Sequence, residues 1–391
     1  MFKIKSNALQ SVVSTMAKSV KESGIGERNV YIKAVGESIV SFYFTSPHLS
    51  AEKRVMATEV GESFFITTSM KELAIKVGAL PSEEEIEVKH VKKGNGQHIE
   101  LVWGSKGRRS EMKVAVLNEE TEFLEVPLAA DKVTWGPKVL SHLVNKFKGF
   151  TVKSTSQDAV NSPVLSGISI SRSVNGNCVL RASDRHNTVT YVSSDYGWLK
   201  NEVILDSAYL QAIANLVPAD CDVEVGVNEN ASLVLFQTKD STCVCRVTDG
   251  KFPEVDHIYD HNVECKYHFD RPELLELCSR VQKIVSTGTK MVRFESRKIE
   301  RHNVVFAVVP GVLEQQMGAT IEGLQWNFAI NAEKLFECAK FFEGEDEVTL
   351  YVKDPFKPIT LGSEEEPDVK IATLPYRLAG LNQVSAETVS V

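Results

Sequence analysis

One structural pattern occurs three times along this chain of 391 residues, at a spacing of about 130 residues. Each copy predicts an amphipathic helix, a group of strands, a second amphipathic helix and further strands. The first helices are predicted at Asn7–Val20, Pro137–Phe147 and Arg271–Val285, and the second at Met70–Val77, Ser207–Leu216 and Ala332–Phe342. Three copies of one module usually form one architecture, and three such modules suggest an arc that can close into a ring.

The helix assignments rest on apolar spacing and on residues that begin helices. Leu9, Val12 and Met16 fall on one face of the first helix. Asp270 and Asn331 each stand where a helix N-cap is expected, before an apolar stripe. Alternating β-branched runs between the helices predict many antiparallel strands. The sequence therefore predicts an α+β fold, with sheets on one side of each module and a helix pair on the other.

The repeat divides the chain into three predicted domains and a tail. The domains are 1–125, 126–256 and 257–378. Loop-like residues near Glu122–Pro127 and Val255–Asn262 are the predicted linkers. The small and polar residues 379–391 predict a disordered tail.

Composition restricts the class of protein. No run of 18 apolar residues is present, and the N-terminus lacks the apolar stretch of a signal peptide, so we expect no membrane contact and no secretion by that route. The odd number of seven cysteines, spread without pattern, favours reduced thiols and a cytoplasmic location. Cys243 and Cys245 alternate in a predicted strand, where buried apolar packing is the favoured interpretation over a metal or redox pair.

The net charge of −8 is unevenly distributed. The six predicted helices with their caps sum to +3, which leaves −11 for the remainder of the chain. Positive helices within an acidic body suit a surface that meets phosphate. An ordinary solvated helix face explains the same charges equally well.

Known enzyme signatures are absent from the sequence. It contains no phosphate-binding Gly-x-x-x-x-Gly-Lys-Ser/Thr, no His-Glu-x-x-His and no Gly-x-Ser-x-Gly. The cluster Asp184–His186 can be interpreted as acid–base machinery, but no nucleophile accompanies it and such clusters are usually turns between strands. We therefore predict a protein that is not an enzyme and that needs no metal or other cofactor.

Four short stretches are more specific. They are Ser162–Ile168, Arg181–His186, Thr248–Pro253 and Leu374–Leu378. With the threefold pattern, they make residues 1–378 resemble the bacterial sliding clamp family, the β subunit of DNA polymerase III. In that family the stretches are similar to "RPVLTG", "ATDGHRLA", "DGRFPDY" and a terminal "MPMRL".

This resemblance implies a function. Family members are head-to-tail homodimers whose three-domain subunits form a closed ring around duplex DNA. The ring holds a replicative polymerase on DNA without sequence preference and is opened by a clamp loader. The implied DNA-facing residues are Lys18, Lys21, Arg28, Lys71, Lys76, Lys138, Lys146, Lys148, Lys153, Arg280, Lys283, Lys334 and Lys340.

The resemblance also implies two protein-binding surfaces. The groove that takes peptides of polymerases and of the loader corresponds to Leu165, His186, Pro253, Ile258, Leu374, Pro375, Tyr376, Arg377 and Leu378. The dimer interface corresponds to Met112, Val114, Ile284 and Val285. Ordinary packing of a terminal strand, and core packing within a module, are the respective alternatives.

Two departures from the family pattern bear on specificity. Arg185 and Asn187 replace the usual glycine and arginine at the rim of the groove. The chain also continues beyond Leu378, and Leu381 could fold back to compete with partners. Such divergence hints at a phage or mobile-element member. Two alternatives stay open: a clamp-like decoy that binds clamp-binding peptides without encircling DNA, and an enzyme that uses Asp184–His186.

Overall fold

The computed structural model describes residues 1–22, 29–35, 38–93, 96–105, 107–117, 124–126, 129–198, 201–259, 263, 265–300 and 302–377. Arg28, Leu378 and the predicted tail 379–391 lie outside these residues.

The helices of the described residues follow the predicted pattern, with one short addition. They are α1 Ser6–Glu22, α2 Met70–Gly78, α3 Val139–Phe147, α4 Gln157–Asn161, α5 Ser207–Leu216, α6 Arg271–Ile284 and α7 Ala332–Phe341. The predicted caps are confirmed, since Asp270 accepts a hydrogen bond from Glu273 N and Asn331 accepts one from Glu333 N. In the part of the chain described, no helix is long and apolar enough to cross a membrane.

Strands occupy most of the remaining chain. The first nine are β1 Phe2–Lys5, β2 Asn29–Val35, β3 Ile39–Thr45, β4 Leu49–Met56, β5 Glu59–Val60, β6 Phe64–Ser69, β7 Glu85–Lys93, β8 Gly96–Trp103 and β9 Ser110–Ala115. The next eight are β10 Ala129–Trp135, β11 Gly167–Arg172, β12 Asn177–Ser183, β13 Asn187–Gly197, β14 Val203–Asp206, β15 Val223–Asn228, β16 Leu233–Gln237 and β17 Ser241–Arg246. The last nine are β18 Cys265–Asp270, β19 Met291–Ile299, β20 His302–Val309, β21 Leu313–Met317, β22 Ala319–Gly323, β23 Phe328–Asn331, β24 Glu347–Tyr351, β25 Ile359–Gly362 and β26 Val369–Thr373.

The order of elements repeats three times. Each repeat has one strand, a helix, four or five strands, a second helix and three closing strands, apart from the extra short α4. The predicted α+β architecture of repeated two-helix modules is therefore confirmed. The α4 helix was not predicted, because five residues are too few to show a helical period.

The chain forms two compact units. Unit 1 contains Met1–Val144 and Tyr196–Asp249, and unit 2 contains Asn145–Asp195 and the described residues from Gly250 onward. The three domain boundaries taken from the repeat stay a prediction.

Unit 1 has two antiparallel sheets. One has the order β5-β1-β7-β8-β9, and the other β10-β15-β16-β17-β4-β3-β2-β6. Helix α1 packs against both α2 and α5. The larger sheet joins the first and second repeats, because β17 pairs with β4 from Ser241 opposite Lys53 to Cys245 opposite Leu49.

Unit 2 is built in the same way. One sheet runs β11-β12-β13-β26-β25-β24-β18-β22, and another runs β21-β20-β19-β23. Helices α6 and α7 pack together. The longer sheet joins the second and third repeats through β13 and β26, from Asn187 opposite Thr373 to Tyr191 opposite Val369.

A lysine reinforces the joint between repeats in unit 1. The Lys53 side chain is only 12% exposed. Its Nζ donates to Leu216 O at 3.0 Å, Asp240 Oδ2 at 2.8 Å and Ser241 Oγ at 2.9 Å. Leu216 ends α5, so the ammonium also meets the negative end of the helix dipole. Burial raises the pKa of Asp240, but the hydrogen bond and charge of Lys53 outweigh burial and lower it overall.

We expect Lys53→Met to lower the free energy of unfolding by about 2 kcal/mol at neutral pH, because Asp240 and the Leu216 carbonyl lose a charged donor. Lys132→Met is the control, since it removes an exposed ion pair to Glu224 and should cost less than about 1 kcal/mol. Urea denaturation of the full chain measures both variants. Equal losses of unfolding free energy for the two variants would contradict the role of Lys53 in joining the two repeats.

The stabilisation by Lys53 should also depend on pH. The pKa of Asp240 is lowered in the folded protein. The ionised carboxylate therefore stabilises the fold at pH values above the pKa of Asp240 in the unfolded chain, and this stabilisation is lost as the pH falls through its pKa in the folded protein. The difference between wild type and Lys53→Met should therefore shrink in acid.

Candidate peptide-binding surface

A tight turn between β12 and β13 forms the centre of the candidate site in unit 2. Asp184 is 6% exposed, and its Oδ1 accepts hydrogen bonds from His186 N at 2.9 Å and Asn187 N at 2.7 Å. Ser183 Oγ accepts from Arg185 N at 3.2 Å and donates to Asn187 O at 3.0 Å. Side chains of the turn thus satisfy its own backbone.

Lys334 of helix α7 binds this turn through its side chain and its backbone carbonyl. Lys334 Nζ forms an ion pair with Asp184 Oδ2. Asn187 is buried, and its side-chain Nδ2 donates a hydrogen bond to Lys334 O at 2.8 Å. The Asp184 carboxylate is therefore fully occupied by structural partners, which leaves it poorly placed to act as a base with the exposed His186.

The segment after β26 lies beside the turn. Leu374 N donates to His186 O at 2.9 Å, which extends the β13–β26 pairing by one step. Tyr376 N donates to Ala329 O at 2.7 Å, and its hydroxyl accepts a hydrogen bond from Asn331 Nδ2 at 3.1 Å. The end of the described chain is thus held at two points while the Leu374 side chain stays 46% exposed.

The segment 250–259 reaches the same region. A Cβ on Gly250, whose φ is +126°, would lie 2.8 Å from Val164 Cγ1, so these two stretches touch where only glycine fits. Arg181 Nη2 donates to Asp256 Oδ2 at 3.2 Å. The Tyr259 hydroxyl is hydrogen-bonded to Thr190 at 3.1 Å, and burial raises the pKa of Tyr259 to about 12.

The four motif stretches therefore meet within unit 2, where the third of them contributes its residues from Gly250 onward. We call the predicted groove residues of the described chain the groove surface. His186, Pro253, Leu374 and Arg377 are exposed, Ile258, Pro375 and Tyr376 are half-buried, and Leu165 is buried.

Sequence reasoning missed the contribution of α4. Ser156 caps this helix by accepting from Ala159 N at 3.2 Å, and Val160 is 69% exposed. Asp158 accepts a hydrogen bond from Arg185 Nη1 at 2.8 Å. A Ser-x-x-Ala signal before a single turn is too common to have located this helix.

The predicted DNA-facing cations fall into two groups. Exposed side chains are those of Lys18, Lys21, Lys71, Lys138, Lys148, Lys153, Lys283 and Lys340. Among the described residues, none of these eight forms an ion pair. Acidic partners hold the others: Lys76 pairs with Glu72, Lys146 with Glu366, Arg280 with Glu276 and Lys334 with Asp184.

Lys146 differs most from the predicted role. Its side chain is only 9% exposed, and its Nζ lies 3.2 Å from Glu366 Oε1. The ammonium also lies 4.9 Å from the ring centroid of Phe341 and 5.7 Å from that of Tyr191. This geometry gives Lys146 a packing role in unit 2.

Two of the predicted dimer residues lie on an edge strand, and the other two lie at the end of a helix. Strand β9 carries Met112 and Val114 and is the last strand of its sheet in unit 1. Met112 is half-buried, and Val114 is fully buried. At the end of α6 in unit 2, Ile284 is 43% exposed and Val285 is half-buried.

Thiol chemistry finds little support in the structure. Six of the seven cysteines are buried, and Cys221 is half-buried. Burial raises the pKa of Cys178 and of Cys243 to about 12, which disfavours the reactive thiolate. Within the described ranges, no group of three or more His, Cys, Asp or Glu side chains is arranged to hold a metal ion.

Comparison with known sequences finds β sliding clamps of staphylococci. No family model matches the chain. A β sliding clamp of Staphylococcus epidermidis is 25% identical over 261 residues, which cover 63% of this chain and 64% of that relative. A β sliding clamp of Staphylococcus aureus is 22% identical over 260 residues with the same coverage. The matched region thus spans just under two thirds of the relatives' length.

Solved structures match nearly the whole chain. The DNA polymerase III β subunit of Thermotoga maritima has a TM-score of 0.79 at 18% identity and covers 97% of this chain and 99% of that one. The β subunit from DNA polymerase of Streptococcus pyogenes has a TM-score of 0.80 at 17% identity, covering 96% and 100%. The fold is that of DNA polymerase III β subunits. In sequence the chain is similar to bacterial β sliding clamps, and the resemblance to this family recognised from the sequence is confirmed.

We expect Asp184→Ala to lower the free energy of unfolding by about 3 kcal/mol, because the turn loses its acceptor and Lys334 loses its counterion. Asp184→Asn keeps an acceptor oxygen and should cost about half as much. Asp158→Asn, which breaks only an exposed pair, should cost under about 1 kcal/mol. Urea denaturation ranks the three, and a loss for Asp184→Ala no larger than that for Asp158→Asn would refute this role.

Proposed function

We propose that this protein is a DNA sliding clamp, a processivity factor that encircles duplex DNA as a homodimeric ring. The observation that carries the proposal is that contacts within unit 2 join four motif stretches that are distant in sequence. The fold and the curated relatives support it. In this function the protein catalyses no reaction and needs no cofactor.

The groove surface would tether partners. It includes the exposed apolar residues Leu374 and Pro253 and the half-buried Tyr376, an aromatic residue suited to anchoring a peptide. We propose that a replicative polymerase and a clamp loader of a bacterial or phage cytoplasm dock there through short peptide segments.

The exposed lysines would face DNA. A ring that is held by its topology needs only weak contacts to phosphate, because tight ones would prevent sliding. Exposed lysines without acidic partners fit that requirement, and they lie in both units.

Free sheet edges would close the ring. Strand β9 ends one sheet of unit 1, and β21 ends one sheet of unit 2. Edge strands attract other strands, so the first part of β9 in one subunit could pair with β21 of another. The second part of β9 already meets α2, since Lys113 O accepts from Lys76 Nζ and Ala115 N donates to Glu72 Oε1. Met112 on β9 and Ile284 at the end of α6 supply apolar side chains.

Retention on circular DNA tests the ring. The protein is loaded onto nicked circular DNA by a bacterial clamp loader with ATP, and gel filtration in high salt follows retention before and after linearisation. We expect retention on the circle and loss from the linear form, because a ring can slide off DNA only where the duplex has an end.

The control is the loader acting on its own clamp. Retention of our protein on linear DNA would indicate direct binding and contradict the topological link. Failure to load, together with a monomeric mass by sedimentation, would contradict the ring and favour the decoy that binds peptides without encircling DNA.

Two neighbouring lysines provide a matched test of the DNA-facing assignment. Lys148→Gln should reduce the slope of log affinity against log salt by about 1 for each subunit that contacts DNA, because each variant subunit neutralises one phosphate fewer, as measured on a short duplex at low salt. Lys146→Gln should leave that slope unchanged and instead lower the free energy of unfolding by about 1 kcal/mol. The reverse pattern would show that Lys146, and not Lys148, contacts DNA.

A further inference from the structure

An arginine stands at the rim of the groove surface with a carboxylate already bound to it. Arg185 Nη1 donates to Asp158 Oδ1 at 2.8 Å. The two side chains are 47% and 54% exposed, respectively. Water therefore reaches this ion pair, and exposed pairs of this kind are weak and exchange partners readily.

The backbone presents this arginine in a fixed position. Arg185 has a φ of +73°, a conformation that residues other than glycine rarely adopt. Asp184 and Ser183 hold the turn through three hydrogen bonds to backbone N–H groups, and Lys334 holds Asp184. Hydrogen bonds and an ion pair therefore hold the strained turn in place, while the Arg185 guanidinium stays accessible to solvent.

The elements that carry Asp158 and adjoin Arg185 also carry exposed apolar residues. Val160 lies two residues after Asp158 in α4 and is 69% exposed. Leu374, which is 46% exposed, pairs through its backbone with His186, the residue next to Arg185. An exposed cation whose neighbouring elements carry exposed apolar residues can bind one carboxylate of a segment that also has apolar side chains.

The surrounding acids limit what can bind there. Asp158 and Asp256 are exposed, and the exposed Glu254 lies on the same segment as Asp256. Each of the three is paired with a cation, Asp158 with Arg185, Asp256 with Arg181 and Glu254 with Lys251, so little positive charge is left for a polyanion such as nucleic acid. A single peptide carboxylate can replace Asp158 at Arg185, because the displaced Asp158 side chain is 54% exposed and is then hydrated by water.

We propose that Arg185 determines peptide specificity, selecting segments that carry Asp or Glu beside apolar side chains. The peptide carboxylate replaces Asp158 as the partner of the guanidinium, and Asp158 acts as an internal competitor. This inference rests on the proposed peptide-binding function of the groove surface.

The test compares two labelled peptides by fluorescence anisotropy with the full chain. Both carry the same leucines, and they differ by one glutamate or glutamine beside them. Wild type should favour the glutamate peptide about threefold at low salt. Arg185→Gln should equalise the two, as should Arg185→Gly, which suits the positive φ. Asp158→Asn should increase the preference for glutamate because the competitor is gone.

The control variant is Lys132→Gln, which makes the same change in net charge in unit 1 and should keep the wild-type preference. Equal binding of both peptides to wild type would overturn this inference and leave the groove function intact. Binding of neither peptide would overturn the groove function and this inference with it. If both Arg185 variants bound the two peptides more weakly and by the same factor, Arg185 would act only through the turn, and the inference would be overturned.

Discussion

Each unit depends on one antiparallel pairing between strands of neighbouring repeats. In unit 1, β4 pairs with β17, and in unit 2, β13 pairs with β26. A single repeat would leave these strands as bare edges with unpaired backbone groups. Because the pairing satisfies those groups inside a continuous sheet, the repeats share sheets, and the compact units do not coincide with the repeats predicted from the sequence.

Local signals in the sequence were sufficient to predict every α-helix of the described residues except the short α4. Asp270 and Asn331 begin α6 and α7 as predicted, because a capping side chain and an apolar stripe act over a few residues. The α4 helix escaped prediction since its single turn shows no period. Partners far apart in sequence also escaped it: Lys146 and Glu366 are 220 residues apart, and Lys334 and Asp184 are 150 apart. No spacing rule connects such pairs.

Charge counting over the predicted helices could not separate two kinds of lysine. Lys146 and Lys148 contribute equally to the sum over the third helix, yet the first is enclosed by Glu366 and aromatic rings while the second is exposed. Burial and acidic partners, which only the folded chain supplies, decide which cations can meet phosphate. The groove residues were reached through family resemblance alone, because their common feature is spatial.

The departure at Arg185 has a physical consequence beyond specificity. Glycine, the usual residue of the family at this position, accepts a positive φ without strain, whereas arginine does not. The turn withstands this cost because the buried Asp184 binds two backbone N–H groups and Lys334 together, and Asn187 anchors to α7. The polar network around Asp184 and the presence of arginine at position 185 are therefore linked. Without that network, the chain would have little to offset the backbone strain at Arg185.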